Sequence, residues 1–219
     1  MKLLAFDTSS AACSIALSID GEITSHHEIA PMQQAKLLLP LLSTVLKTKN
    51  IAVSDLDAIA FGCGPGSFTG VRIAVSVAQG LGYAAEKPLI AVSSLAAIAQ
   101  AAYQDLGWTQ FVVAVDARIH EVYWGAYEVQ QNQLVKLIGK EQVSRPEEVT
   151  LPSSTWCGVG NAWEVYRSLI PAQPVSVRTD CLPHAAAILP LAEEKFRLGE
   201  VISAADAIPV YLRDDVAKK

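Results

Sequence analysis

Side chains that could do chemistry stand at the ends of two apolar runs. One run ends at Asp7 and is followed by Thr8 and Ser9, and a second run ends at Asp116. A carboxylate in this position could hold a metal ion or a water molecule, and the hydroxyl groups could approach a phosphate. Asp, Thr and Ser also hydrogen-bond their own backbone in turns. Taken alone, the three residues at 7–9 favour a turn, and a phosphate or metal site is the alternative.

A glycine-rich segment at residues 62–70 is predicted to connect a strand to a helix. Glycine lets the backbone approach a ligand, and a helix N-terminus attracts anions. The segment is not a P-loop, because no Gly-Lys-Ser/Thr follows. Arg72 could pair with a phosphate or with a partner's carboxylate. The simpler interpretation is a tight connection in which Ser67 or Thr69 caps the helix.

The remaining reactive groups give weaker signals. The four histidines have no mutual spacing typical of a zinc site; they are His26, His27, His120 and His184. No Gly-x-Ser-x-Gly nucleophile elbow occurs. Asp116, Arg118 and Glu121 are close in sequence, and a structural ion pair between Arg118 and a carboxylate is favoured over a pair of catalytic acids.

The elements that must position these groups follow from periodicity. Strands are predicted at 2–7, 11–19 and 22–28, with Asp-Gly at 20–21 as a hairpin turn. Two helices are predicted at 32–47 and 71–85, and each has apolar residues on two faces. One face can cover the chain's own sheet. The other apolar face must be buried against something else, which indicates a surface that binds a partner protein.

The opening pattern returns in the second half of the chain. Residues 111–116 repeat the apolar run that ends in Asp, and extended segments follow at 121–129 and 134–138. The two aspartates are 116 − 7 = 109 residues apart, about half of 219. An internal duplication is one interpretation, and two unrelated buried strands are the other. The predicted domains are residues 1–105 and 106–219, with the last segment able to pack back on the first domain.

Composition excludes several classes of protein. Of the 219 residues, 51% are hydrophobic and 18% are charged, which excludes a disordered chain. The net charge of −5 disfavours a protein that binds nucleic acid by itself. No apolar stretch is long enough to span a membrane, and no signal peptide is predicted. Four cysteines without a CxxC pair indicate reduced thiols in a cytoplasmic protein.

Four motifs together resemble the TsaB family, also called YeaZ, the bacterial partner proteins in tRNA threonylcarbamoyladenosine synthesis. They are Asp-Thr-Ser at 7–9, Gly-Pro-Gly-Ser-Phe-Thr-Gly-Val-Arg at 64–72, Asp-Ala-Arg at 116–118 with Glu-Val-Tyr at 121–123, and Pro-Val-Tyr-Leu-Arg at 209–213. The resemblance covers nearly the whole chain. It implies an α/β protein with the two-lobed actin-like/Hsp70-like ATPase fold, in which each lobe has a ribonuclease-H-like core.

The resemblance also implies a function. The related catalytic subunit, TsaD, holds a metal through a His-x-x-x-His pair, and Ser94 and Ile98 stand at the matching positions here. A hydroxyl and an alkyl group cannot replace two imidazoles. A noncatalytic scaffold is therefore expected, with no catalytic residue, no metal site and no tightly bound cofactor. ATP or ADP is expected only at the interface of the complex, and a degenerate nucleotide cleft at Asp7, Thr8, Ser9 and Asp116.

The implied partners are a TsaD-like paralogue, a TsaE-like ATPase, tRNA through the complex only, and a second copy in isolation. The partner surface is the pair of N-terminal helices. The side chains expected to contact the partner are Leu38, Leu41, Leu42, Val45, Arg72, Ala74, Val75, Ala78 and Leu81. A charge at Leu38 or Ala78 is expected to block binding and leave the fold intact.

The chain departs from the family pattern in two places. Gln34 and Ala35 stand where many members have a histidine and a hydroxyl residue, and His120 stands where glycine is more common. The alternative functions are an independent ATPase or kinase-like enzyme that uses Asp7 and Asp116, and, ranked last, a peptidase.

Overall fold

The computed structural model describes residues 1–153 and 155–213. Contacts divide the chain into two compact units. The first contains Met1–Ala97 and Leu182–Pro209, and the second contains Ile98–Cys181 and the described residues from Val210 on. This division falls inside a helix that ends at Leu106, and the division predicted from sequence falls at the end of the same helix. The last six residues of the predicted second domain lie outside the described residues.

The first unit has a five-stranded sheet in the order β3-β2-β1-β4-β5. Its strands are β1 (Lys2–Asp7), β2 (Ala12–Ile19), β3 (Glu22–Ile29), β4 (Ala58–Gly62) and β5 (Leu89–Val92). The first three form the predicted antiparallel meander, and β4 and β5 run parallel to β1. Asp20 and Gly21 both have positive φ, as expected for the tight turn between β2 and β3.

Helices α1 (Gln34–Thr48) and α2 (Phe68–Ala85) cover one face of this sheet. The larger apolar residues of the strands point to that face, among them Phe6, Ile15 and Phe61, and all three are fully buried. The helix α2 begins three residues earlier than predicted. The reason is Ser67, whose side chain accepts a hydrogen bond from the Gly70 amide and caps the helix.

Helix α5 (Ala185–Arg197) lies on the opposite face, although it comes from the end of the chain. Strand alternation gives that face small residues such as Ala5, Ala16 and Ala60, all fully buried, so a helix can approach closely. The chain after α5 then adds to the sheet edge, because Ile202 and Leu89 exchange two backbone hydrogen bonds of 2.8 and 2.9 Å. This segment therefore completes the first unit on two sides.

The second unit has a sheet in the order β10-β9-β6-β7-β8. Its elements are β6 (Gln110–Arg118), β7 (Glu121–Val129), β8 (Val135–Ser144), β9 (Cys157–Val159), α4 (Ala162–Val165) and β10 (Val177–Arg178). Helix α3 (Ser94–Leu106) begins in the first unit and ends in the second.

Strands β6, β7 and β8 pair antiparallel, and β9 and β10 are parallel to β6 and to each other. Read from β8, the order repeats that of the first sheet strand for strand. This match supports the interpretation of the sequence repeat as an internal duplication, and each unit is built on a mixed five-stranded α/β sheet.

The prediction of secondary structure was wrong in three places in the second unit. The sequence predicts a helix over residues 161–169, but α4 ends at Val165. Strand β8 continues to Ser144, beyond the predicted end at residue 138, and the short strand β10 was not predicted. Within the described residues, no helix combines the length and apolar character needed to cross a membrane.

Candidate functional site

Asp7, at the end of β1, is enclosed by its own unit. Its side chain accepts hydrogen bonds from the Ser9 backbone amide (2.7 Å), the Ser9 hydroxyl (2.8 Å) and the Ser94 hydroxyl (2.8 Å). Asp7 is 1% exposed, and burial raises the pKa of its carboxyl above the ordinary value, although the three hydrogen bonds act in the opposite direction. Both carboxylate oxygens of Asp7 therefore accept hydrogen bonds from groups of the first unit.

The glycine-rich segment packs directly against residues 7–9. A Cβ atom on Gly62 would lie 1.8 Å from Asp7 Oδ2, and one on Gly70 would lie 1.9 Å from the Thr8 carbonyl oxygen. The Thr8 hydroxyl donates to the Gly70 carbonyl at 2.7 Å, and the Ser67 amide donates to the Ser9 carbonyl at 2.7 Å. These contacts require glycine at 62 and 70, because any side chain would overlap with atoms already in place.

Ser94 and Ile98, which the resemblance places at the metal-ligand positions of TsaD, are both on α3. Ser94 begins this helix and donates its hydroxyl proton to Asp7, and Ile98 is buried at 2% exposure. In the described part of the chain, no group of three or more His, Cys, Asp or Glu side chains is arranged to hold a metal ion.

Asp116 belongs to the second unit. Its carboxylate accepts from the Tyr166 hydroxyl (2.8 Å) and the Arg118 amide (2.9 Å), and it pairs with the Arg118 guanidinium at 3.2 Å. The predicted structural ion pair is therefore present. Glu121 makes a different one, with Arg213 at the end of the described chain, where the Arg213 Nε donates at 2.7 Å. The nucleotide cleft suggested for Asp7, Thr8, Ser9 and Asp116 remains a prediction.

The structure corrects the partner-contact residues predicted on α1 and α2. Six of the nine are between 0% and 7% exposed and form part of the first unit's core: Leu38, Leu42, Val45, Ala74, Val75 and Ala78. They face the chain's own sheet, so little or none of their surface is available to a partner while the unit is folded. A charge at Leu38 or Ala78 would disrupt the core, contrary to the expectation that the fold would survive. The periodicity identified two apolar faces correctly, but it could not tell which of them the sheet covers.

The other three predicted residues reach the surface. Leu41 and Leu81 are half-buried and pack at the margin of the core. Arg72 is exposed, and its guanidinium lies 3.6 Å from the centre of the Phe68 ring. Phe68 is itself 46% exposed, so the first turn of α2 presents an aromatic ring and a cation together.

A second small-residue ridge on α2 is exposed and was missed by the sequence reasoning. It consists of Ser76, Gly80 and Ala84, spaced four residues apart, and a Cβ on Gly80 would meet no atom within 4 Å. Tyr83 (82% exposed) flanks this ridge, and Leu39 on α1 is 54% exposed. The signal was present in the sequence as a second i, i+4 series, parallel to the buried series Ala74, Ala78 and Gly82.

Known proteins match this chain over nearly its whole length. The family described as TsaD, tRNA N6-adenosine threonylcarbamoyltransferase, matches residues 22–219. The Escherichia coli protein named tRNA threonylcarbamoyladenosine biosynthesis protein TsaB is 39% identical, with 100% of this chain and 97% of that protein covered. The Haemophilus influenzae protein of the same name is 36% identical, with 100% and 96% covered. The solved structure of YeaZ from Pseudomonas aeruginosa has 46% identity and a TM-score of 0.93, and 96% of this chain and 99% of that chain are covered.

Proposed function

Because the chain belongs to the TsaB family, we propose that it is a noncatalytic subunit in tRNA threonylcarbamoyladenosine synthesis, and that it binds a threonylcarbamoyltransferase of the TsaD type. Relatives named for this pathway match it from end to end. The main support for the binding role is the exposed outer face of α1 and α2. The ridge of Ser76, Gly80 and Ala84 lies at the centre of this face.

The shape of this face suits a helix of another protein. The distance between two packed helices depends on the side chains at the contact, and residues as small as those of the ridge permit the shortest distances. Ile73, Val77 and Leu81 lie beside the ridge and are half-buried, so a helix seated there would remove their remaining apolar surface from water. Arg72 and Phe68 would lie at one end of the contact.

The similarity to the transferase family supports a partner of the same fold. This chain matches that family over residues 22–219, so a TsaD-type protein is expected to carry an equivalent helix pair. Two such pairs can meet across a two-fold or pseudo-two-fold axis. A second copy of this chain has the same pair, and a homodimer would therefore form in isolation and compete with the transferase complex.

The hydrogen bonds of Asp7 support the noncatalytic part of the proposal. In place of the first histidine of the catalytic relatives, Ser94 donates to Asp7, and the Ser9 amide and hydroxyl use the other carboxylate oxygen. These contacts give the carboxylate a structural task. Catalysis would then belong to the transferase.

The other members of the complex follow from the family. We propose that a TsaE-like ATPase joins it in the cytoplasm and that ATP or ADP, where bound, lies at an interface of the complex. The net charge of −5 is unfavourable for direct binding of a polyanion, so tRNA is expected to bind through the complex.

The test is reconstitution of the tRNA modification with a TsaD-type transferase, in the presence and absence of this chain. We expect modification only in its presence. The decisive variant is Gly80→Arg, which adds a long side chain where the fold has open space. It should weaken transferase binding about 10-fold or more and lower modification in parallel, without lowering the midpoint of urea unfolding, because arginine is a better helix former than glycine.

The matched control is Gln104→Arg, which adds the same charge at an exposed position of α3. It should bind and support modification as the original chain does. Full activity of Gly80→Arg, or equal losses in both variants, would contradict the proposed surface. Modification that proceeds without the chain would contradict the proposed function.

A further inference from the structure

Two imidazole rings stack where the returning helix α5 meets the first sheet. The ring centres of His27, on β3, and His184, the residue before α5, are 4.3 Å apart, and the ring planes differ by 9°. Beside the stack, the Ala185 amide donates to the Ser14 hydroxyl at 2.8 Å, and Ser14 is the cross-strand neighbour of His27. This hydrogen bond and this ring contact both join the amino end of α5 to β2 and β3.

The Nδ1 atom of His27 is buried, and among the described residues it has no hydrogen-bond partner. It is the sole side-chain nitrogen or oxygen in that part of the chain with this property. A neutral imidazole with its proton on Nε2 leaves a lone pair on Nδ1. Protonation would place a charged N–H there without an acceptor, which is a costly state for a buried donor.

The surroundings of His27 oppose a positive charge. From α5 it faces His184 and the helix N-terminus, which is the positive end of the helix dipole. From β2 it faces Ser14, which does not titrate. On β3 itself, His26 and Glu28 point to the other face of the sheet, on the side of α1, and bond to each other at 3.2 Å. Burial, followed by His184 and His26, lowers the pKa of His27 to about 4.

A metal ion does not account for this pair. The lone pairs of imidazole lie in the ring plane, so two nearly parallel stacked rings direct them within two separate parallel planes and not toward a common point. The geometry of His27 and His184 matches two neutral rings in van der Waals contact.

We propose that the stack of His27 and His184 is an acid-sensitive latch, which holds the amino end of α5 on the sheet while both rings are neutral and releases it when they are protonated. The latch goes beyond the proposed partner role and does not depend on it. Opening would expose the small-residue face of the sheet and leave the hydrogen bonds within the sheet in place, so it is a local opening of the first unit.

The expected change in the opening equilibrium of α5 follows from the protonation of His27 in the open form and in the folded form. With ordinary and folded pKa values of 6.5 and about 4 for His27, protonation favours the open form by about 30-fold at pH 5 relative to pH 7.5. Since His27 is only half-buried, we expect a change between about 10-fold and 30-fold in the opening equilibrium of α5.

Hydrogen exchange of the full-length chain measures this directly. Exchange of α5 amides is compared at pH 7.5 and 5.0 after correction for the intrinsic pH dependence, with α2 as the internal reference. We expect protection in α5 to fall about 10-fold or more relative to α2. His27→Phe keeps an aromatic ring that cannot be protonated, and it should reduce this change to less than about 3-fold. His26→Phe, on the opposite face of the same strand, is the matched control and should behave as the original chain does.

Equal acid sensitivity in His27→Phe and the original chain would overturn the latch, as would loss of sensitivity in His26→Phe. A second measurement needs no variant at His27. The ring proton signal of His27, followed by NMR from pH 8 downward in the original chain, should keep its neutral position to below pH 5. A midpoint at or above pH 6 would show that the folded state accepts the charge, and the latch would be refuted.

Discussion

The substitution Asp7→Asn should stabilise the protein at neutral pH. The asparagine oxygen can keep the hydrogen bonds from the Ser9 amide and hydroxyl, which lie at 2.7 and 2.8 Å. Its NH2 group would replace Oδ2 and donate to the Ser94 hydroxyl, now 2.8 Å away. The substitution therefore retains the contacts and removes a buried charge.

The expected change in the free energy of unfolding is the difference between two effects of the substitution. Taking an unpaired carboxylate out of water costs several kcal/mol, and three donors recover only part of this at Asp7. In Asp7→Asn the Ser94 hydroxyl must find another acceptor, which costs about 1 kcal/mol. The expected net gain is about 1–2 kcal/mol in the free energy of unfolding at pH 7.5.

The raised pKa of Asp7 determines how the stability of the protein changes with pH at this site. The folded-state pKa of Asp7 lies above that of the unfolded chain, so the folded state holds the proton to a higher pH. The stability of the original chain at this site therefore falls as pH rises above 3.8, through the folded-state pKa. The advantage of Asp7→Asn should therefore be larger at pH 7.5 than near pH 3.8. Since both proteins contain His27, its contribution cancels in the difference.

Urea unfolding at pH 4, 5, 6 and 7.5 provides the assay, and Asp7→Ala is the control because it removes all three hydrogen bonds. Asp7→Ala should lose about 2–4 kcal/mol. A destabilised Asp7→Asn at pH 7.5, or an advantage that does not change with pH, would refute the reasoning. The same variant separates the two functions. It should support tRNA modification fully if the chain is noncatalytic, and its failure to do so with an intact fold would favour the ATPase that uses Asp7 and Asp116.

Two pairs of substitutions test the assignment of buried and exposed helix faces. Gly70→Ala should lose about 2–3 kcal/mol in urea unfolding because its Cβ would meet the Thr8 carbonyl at 1.9 Å. On the same helix, Gly80→Ala should gain up to about 1 kcal/mol, since its Cβ has open space, and similar results for both would be inconsistent with the packing. Leu38→Ala should cost about 3 kcal/mol and Leu39→Ala less than about 0.5 kcal/mol, because their exposures are 0% and 54%. The reverse order would mean that α1 is rotated about its axis.

Local features of the sequence were sufficient for much of the fold. The run at Lys2–Asp7 and the Asp-Gly turn predicted the meander, since alternation and turn chemistry act over a few residues. The repeat that ends at Asp116 indicated an internal duplication as one of two interpretations, and the matching strand orders of the two sheets favour it. Helix α4 was predicted too long because its pattern continues past Val165, where the chain turns. Strand β10 has two residues, too few for any periodicity.

The sequence by itself determined that α1 and α2 each have two apolar faces, and which family motifs the chain carries. The tertiary structure decided which face is buried. On α2, the pair Ala74 and Ala78 and the pair Ser76 and Gly80 have the same i, i+4 spacing. Ala74 and Ala78 are 0% exposed because they face the sheet, and Ser76 and Gly80 are accessible because they do not. It also decided that His184 meets His27, which lies 157 residues earlier. A contact of that kind depends on where the chain returns, and no local pattern encodes the return.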